Sequence, residues 1–275
     1  MKMHLVALLL LLTSPAVAGV RHASAFGIRS NRLGVGILSD TGLRTPLFDS
    51  EHVLLKDTYV DVGIVSQLSP ATLHPGVYVE VVPLAILKLR ASAQRLQYFG
   101  YFGSLSEFPD EEWAPAQLDA AEDDGRGQRT GGFLYDARAN LRGKFWRIVF
   151  SFEGQASHFE VDAEAPVYEP VFDLLLAPSD ELYQGRALLG FMVLGQAQTP
   201  SSLMVAFLHQ AFRTTETDLS RQIPGLAVVM QPSESFWSTG RPVLAVLGGI
   251  FAEDKYKQGE LFLATQRTLT FSESK

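Results

Sequence analysis

Eight charged residues keep one phase of a two-residue period in neighbouring stretches of the chain. They are Glu80, Lys88 and Arg90, then Asp136, Arg138 and Arg142, then Arg147 and Glu153. On β-strands a period of two places such residues on one face. Opposite charges facing each other across adjacent strands stabilise a sheet, and a ring of them would fill an enclosed interior. They do not have the grouping of a reaction centre. Beyond residue 18 the histidines are His22, His52, His74, His158 and His209, and no H-E-x-x-H or comparable ligand spacing occurs. His209 sits in an apolar stretch, where a packed or interfacial histidine is the expected state. His158 follows Ser157, but adjacent strand residues point to opposite faces and cannot form a nucleophile–base pair by themselves. Asp119, Asp123, Asp124 and Gly125 resemble a calcium loop only faintly, because the oxygen ligands miss the alternating positions and the closing glutamate is absent. Such a loop would at most bridge a divalent cation to lipid phosphates. Gly34-x-Gly36 and Gly248-Gly249 are no phosphate cradle; in strands glycine marks bends and close contacts. The reading is a non-enzymatic protein with no metal and no cofactor.

The elements that must position the charges are strands. From Val77 to Ala93 every second residue is apolar, while the other phase holds Glu80, Lys88 and Arg90. Read as one strand over residues 76–95, this spans about 55 Å at roughly 3.3 Å per residue. Phe133, Tyr135, Ala137, Ala139 and Leu141 alternate with Asp136, Arg138 and Arg142; Arg142-Gly143-Lys144 then reads as a tight turn. After it Trp146, Ile148, Phe150 and Phe152 alternate with Arg147, Val149, Ser151 and Glu153. Two alternating runs joined by a short turn predict a β-hairpin. Residues 186–196 are nearly apolar on both faces. The intervening segment, residues 98–130, is acidic and aperiodic and predicts a long solvated loop.

Composition bounds the class. The 275 residues are 47% apolar and 19% charged, with a formal net charge of −7 and no cysteine. Disulfides and a lipidated N-terminal cysteine are excluded, and the acidic balance offers no basic surface to nucleic acid. No apolar run reaches the 18 or so residues of a membrane helix. Lys2, the apolar run Leu5–Leu12 and Ala16-Val17-Ala18 read as a cleaved secretory signal over residues 1–18, leaving residues 19–275 as a single domain.

A signal, alternating strands, short turns on one side and long loops on the other resemble small Gram-negative outer-membrane β-barrel proteins. The resemblance covers roughly residues 33–271. It implies an all-β, antiparallel, up-and-down transmembrane barrel with a lipid-facing apolar phase and a polar lumen. It also implies a location in the outer membrane, contact with membrane lipid and lipopolysaccharide, and assembly by the barrel-assembly machinery, which reads a terminal aromatic residue such as Phe271. Parity with both termini on one side gives about ten strands: 33–47, 56–66, 76–95, 131–142, 145–158, 186–196, 202–213, 222–231, 241–252 and 260–271. Adding 168–177 and a strand within 19–32 gives twelve as the alternative. The expected roles are structural, surface-interacting or narrowly permeating. The rival from another class is a soluble periplasmic β-barrel or sandwich binding a small apolar ligand, with its aromatic phase turned inward.

Overall fold

The computed structural model describes residues 19–30, 33–108, 115–195, 202–232 and 243–272; the expected signal, residues 1–18, lies outside them. Twelve long strands run up and down around a closed barrel. In chain order they are β1 (Gly19–Arg29), β2 (Gly34–Pro46), β3 (Tyr59–Leu68), β4 (Thr72–Leu84), β5 (Leu87–Tyr98), β6 (Gly131–Phe145) and β7 (Ile148–Val161), then β10 (Ser179–Leu194), β11 (Ser202–Thr214), β12 (Ser220–Gln231), β13 (Val243–Ile250) and β15 (Leu261–Ser272). The remaining elements lie between them. They are the helix α1 (Pro115–Asp123), the two-stranded hairpin of β8 (Val167–Glu169) and β9 (Leu174–Leu176), and β14 (Glu253–Asp254), which pairs with β12. Each barrel strand pairs antiparallel with its neighbours. The ring closes where β1 meets β15, from Arg21 opposite Ser272 to Arg29 opposite Ala264. Closure removes every free sheet edge, which is what lets a β-structure lie in hydrocarbon.

The count of ten is therefore corrected to the alternative of twelve, though by a partly different route. Residues 19–29 do supply a strand, but residues 168–177 form no wall strand. The twelfth comes from the stretch 76–95, which is a hairpin and not one strand. A turn at residues 85–86 folds β5 back on β4, with Val77 opposite Ala93 and Glu80 opposite Arg90. From Thr72 opposite Tyr98 to Val81 opposite Leu89 the partners have equal parity, so even-numbered residues face inward on both strands; the register shifts by one before the turn, where Leu84 lies opposite Leu87, and the apolar alternation of the sequence continues across it. Period alone could not reveal the reversal. The turn expected at Arg142–Lys144 lies inside β6; the chain reverses at Trp146-Arg147, where Trp146 takes a left-handed φ of 53°.

One end of the barrel carries the start of β1, the end of β15 and the tight turns at 85–86 and 146–147. The opposite, far end carries the longest described connections, residues 99–130 and 162–178, together with 251–260. These fold back into a cap. Leu105, Val167, Leu174 and Leu176 pack on Leu96, Leu134, Phe159 and Leu182 at the strand ends. A second cluster joins Phe108, Leu118 and Ala121 to Tyr168, Leu175 and Leu219. The acidic segment expected to be a solvated loop is corrected in part. Its glutamates and aspartates in α1 are exposed, yet Leu105, Leu118 and Ala121 are fully buried. Scattered apolar residues with no period were its core.

Candidate functional site: the lumen and its cap

The phase of each strand decides what the interior contains. On β4 Tyr78, Glu80 and Val82 are buried while Val77 and Val79 are exposed; on β6 Leu134 and Asn140 are buried while Phe133, Tyr135 and Leu141 are exposed. Inward positions on β3 to β7 are mostly polar, while those on β1 and β2 are mainly small residues around Arg21, Arg29, Asp40 and Arg44. From β10 to β15 the inward phase is mostly apolar, with Leu188, Met192, Leu208, Ala227, Val229 and Leu247. That is why residues 186–196 read as apolar on both faces.

Glu80, Lys88 and Arg90 form one inward network. The Glu80 carboxylate lies 3.1 Å from Lys88 Nζ and 3.6 Å from Arg90, and accepts a 2.7 Å hydrogen bond from the Tyr59 hydroxyl. Arg90 also donates two bonds to Asp40, of 2.7 and 3.0 Å, and lies over the Tyr78 ring. A bidentate guanidinium–carboxylate pair is among the stronger charged contacts. Beside it Asp61, fully buried, accepts from Arg44 at 3.1 Å and from the Tyr78 hydroxyl at 2.9 Å, with Arg21 at 3.8 Å. Glycine at position 42 leaves room for this arrangement, because a Cβ there would displace both the Asp61 carboxylate and the Tyr78 hydroxyl.

Asp136 belongs to a separate, uncharged setting. Ser92, Gln94, Gln155 and Ser157 all donate to it, at 2.8 to 3.0 Å. Four neutral donors occupy both oxygens of the carboxylate and hold it in place. Glu153 faces Arg186 across the β7–β10 pair at 3.9 Å. Arg138 and Arg142 are on the inward phase of β6, without an ion pair among the described residues. Arg147 is not on the lumen wall: it sits in the β6–β7 turn over the Trp146 ring. The cavity between Gln155, Gln184, Arg186 and Gln210 measures about 10 Å³, the size of a single water site.

The cap holds the second charged cluster. Asp173 accepts from Lys257 Nζ at 2.5 Å and from the Tyr168 hydroxyl at 2.7 Å, and Arg221 lies 3.6 Å away while also pairing with Asp254. Arg29, at the top of β1, donates to the carbonyls of Pro170 and Val171 and so ties the β8–β9 hairpin to the wall. Glu169, fully buried in that hairpin, accepts from the Tyr98 hydroxyl at 3.0 Å and the Phe172 amide at 2.6 Å. Burial pushes its carboxyl up to about 7 against those stabilising bonds. Burial likewise lowers the Lys257 ammonium, although Asp173 opposes the shift.

Outside the barrel, the aromatic phase points away from the lumen. Phe133, Tyr135, Phe152, Phe191 and Phe207 are all more than two-fifths exposed. A soluble binding barrel would turn this phase inward. The architecture is that of a small outer-membrane β-barrel. No family model matches the sequence, and no curated protein does. Solved structures do resemble it. The beta domain of the Bordetella autotransporter BrkA aligns with 93% of this chain and 100% of its own at 13% identity and a TM-score of 0.49. LpxR from Salmonella typhimurium aligns over 90% and 99% at 10% identity with a TM-score of 0.41, and OmpT of Vibrio cholerae over 95% and 99% at 8% identity with a TM-score of 0.40. The barrel assignment itself rests on the closed strand order and the outward apolar phase.

Sequence reasoning missed part of the site. Asp40, Arg44 and Asp61 share the inward phase of their strands, and alternation within 33–47 and 56–66 could have grouped them. The cap cluster had no such signal, since Asp173, Arg221 and Lys257 come from three separate connections or strand ends. One further constellation was overlooked. His22 and Ser24 are two residues apart and therefore share a face, with His22 Nε2 2.8 Å from Ser24 Oγ and Nδ1 2.8 Å from Thr41 Oγ1. This is the spacing of a nucleophile with its base, and the pair faces outward near the middle of the wall.

Proposed function

We propose that this protein is a closed, non-enzymatic outer-membrane barrel whose role is structural and surface-interacting and not that of an open channel. The observation that carries the reading is the cap: two buried apolar clusters and an ion-pair cluster lie across the far mouth. Longer loops mark the outer side of such barrels, so the cap is the face shown to the surroundings, above lipopolysaccharide that Arg95 and Arg213 are placed to meet at the rim. The acidic helix α1 is the surface-interacting part of that face. Export follows cleavage after Ala18 and insertion by the barrel-assembly machinery. The mass of the protein from outer membranes should correspond to a chain beginning at Gly19; a chain retaining Met1 would remove this step.

Planar-bilayer recording tests the closed lumen. The intact protein should pass no steady current, and a variant with residues 163–177 replaced by a short glycine–serine linker should conduct, through a pore narrowed by the charged wall. Steady conductance from the intact protein would overturn the reading in favour of narrow permeation.

A further inference from the structure

We infer that the β15–β1–β2 face of the barrel is the surface on which a second copy of this chain docks within the membrane. The inference concerns the bilayer face and stands independently of the cap.

Phase places a polar group on that face. Phe26 and Ile28 of β1 are exposed and outward; His22 and Ser24 share their phase. Ser24 pairs with Ser39 and His22 with Thr41 on β2, so these also face outward. On the other side Arg267 pairs with Phe26, and Thr265 with Ile28. The outward surface of three adjacent strands thus carries Thr265, Arg267, His22, Ser24, Ser39 and Thr41. All six lie near the middle of their strands, since β1 runs from Gly19 to Arg29, β2 from Gly34 to Pro46 and β15 from Leu261 to Ser272. That is the height at which hydrocarbon would meet the wall. Neighbouring side chains are bonded, with Ser24 Oγ 3.2 Å from Ser39 Oγ beside the His22 contacts.

The rest of the wall is built differently. At comparable height the outward residues include Ile64 on β3, Val79 on β4, Leu89 on β5, Leu141 on β6, Phe152 on β7, Leu189 on β10, Leu226 on β12 and Val246 on β13, all exposed and apolar. Ser66 on β3, opposite Ser39, extends the polar sector by one strand, and His209 on β11, bonded to Gln222 nearer the far rim, lies outside it. An ionisable side chain facing lipid at mid-depth is expensive and marks a functional surface. Confinement of hydroxyls, an imidazole and a guanidinium to one sector means that lipid is not what covers that sector.

The chemistry of the sector selects a second copy. Hydroxyls and imidazole both donate and accept, whereas a guanidinium only donates. The outward phase of the three strands holds no carboxylate. A two-fold axis parallel to the barrel axis and passing beside β1 lays β15 of one copy against β2 of the other. Arg267 then meets the hydroxyls of Ser39 and Thr41 in its partner, and the reverse contact forms by symmetry. Such an isologous surface is complementary to itself. Ser24 and Ser39 are small enough to let the two walls approach closely.

Because the chain has no cysteine, single-cysteine variants report the contact without background. Ser24→Cys lies near the proposed axis and Val79→Cys on the apolar wall. In native outer membranes treated with a mild oxidant, Ser24→Cys should form a disulfide-linked dimer several-fold more than Val79→Cys, with heat-shifted electrophoretic mobility verifying that both barrels are folded. Equal yields, or a linked product whose mass is not twice that of the chain, would overturn the second copy as the occupant; the latter result would indicate a different membrane partner. If Ser24→Cys does not assemble, the unmodified protein decides: native mass in a mild detergent should show a dimer that Arg267→Leu shifts towards monomer. A wild-type monomer, or a dimer that Arg267→Leu leaves unchanged, would sink the proposal.

Discussion

The lumen wall and the cap each contain a buried network of charges, and they are built on opposite principles. In the wall Asp61 and Glu80 face each other on paired strands, and Glu80 lies opposite Arg90. The backbone ladder puts these groups within reach before any side chain interacts. In the cap Asp173 lies in the β8–β9 turn, itself in a left-handed conformation at φ 58°, while Arg221 starts β12 and Lys257 lies in the β13–β15 connection. No backbone ladder brings those three together. In the wall the sheet positions the charges; in the cap the charges, with the apolar clusters, position the backbone. The same pairing chemistry is therefore a filling in one region and a fastening in the other.

Matched substitutions should break that comparison most sharply. Arg221→Met leaves Asp173 and Asp254 buried with Lys257 alone, and removing one member of a buried ion cluster typically costs about 3–5 kcal/mol. The expected outcome is a barrel that still inserts but whose cap is cut by added protease within residues 163–177. Arg90→Met is the wall counterpart. Lys88 remains beside Glu80, and both Arg90 and Asp40 keep 13% of their side-chain surface open, so the loss should be smaller, on the order of 1–3 kcal/mol for hydrogen bonds to charged groups. It should appear as a lower unfolding midpoint in urea with the cap still protected. A protected cap in Arg221→Met, or an opened cap in Arg90→Met, would erase the distinction.

A smaller effect sharpens the comparison through pH. The Glu169 carboxyl titrates near 7 in the closed cap, against an ordinary value of 4.5, because burial disfavours its charge. When the cap opens and Glu169 is solvated, its pKa falls back. In the window between those values the closed form holds a proton that the open form releases. Its contribution to closure is fully present below about 4.5 and is lost as pH rises through about 7, amounting to roughly 3 kcal/mol if the whole shift is local. Hydrogen exchange of the β8–β9 amides should accelerate over that window in the wild type relative to Glu169→Gln, which has no carboxyl to titrate. Parallel profiles in the two proteins would place the pH response elsewhere.

Much of the wall was readable from residue order. Alternation at Val77–Ala93, Phe133–Leu141 and Ile148–Phe152 determined which face of each strand meets apolar surroundings and which carries charge, because side-chain direction in a strand depends only on parity. The same rule limited the reading. Parity is blind to a hairpin whose partners share it, so residues 76–95 concealed a reversal. It is equally blind to a turn displaced by a few residues, which placed Arg147 in the lumen when it stands at the β6–β7 turn.

What only the tertiary structure decided lies where no period operates. Leu105, Leu118, Val167 and Leu175 are scattered through aperiodic, partly acidic stretches, and they became a core because barrel closure brought the connections of distant strands together over one mouth. The outward grouping of His22, Ser24, Thr41 and Arg267 was set in the same way. Each residue alone is an ordinary interruption of an apolar phase, and they form one surface because closure seats the last strand beside the first. Alternation along a strand is a local consequence of backbone geometry and can be read from the chain; adjacency around a ring depends on pairing partners far apart in sequence and appears only when the ring is shut.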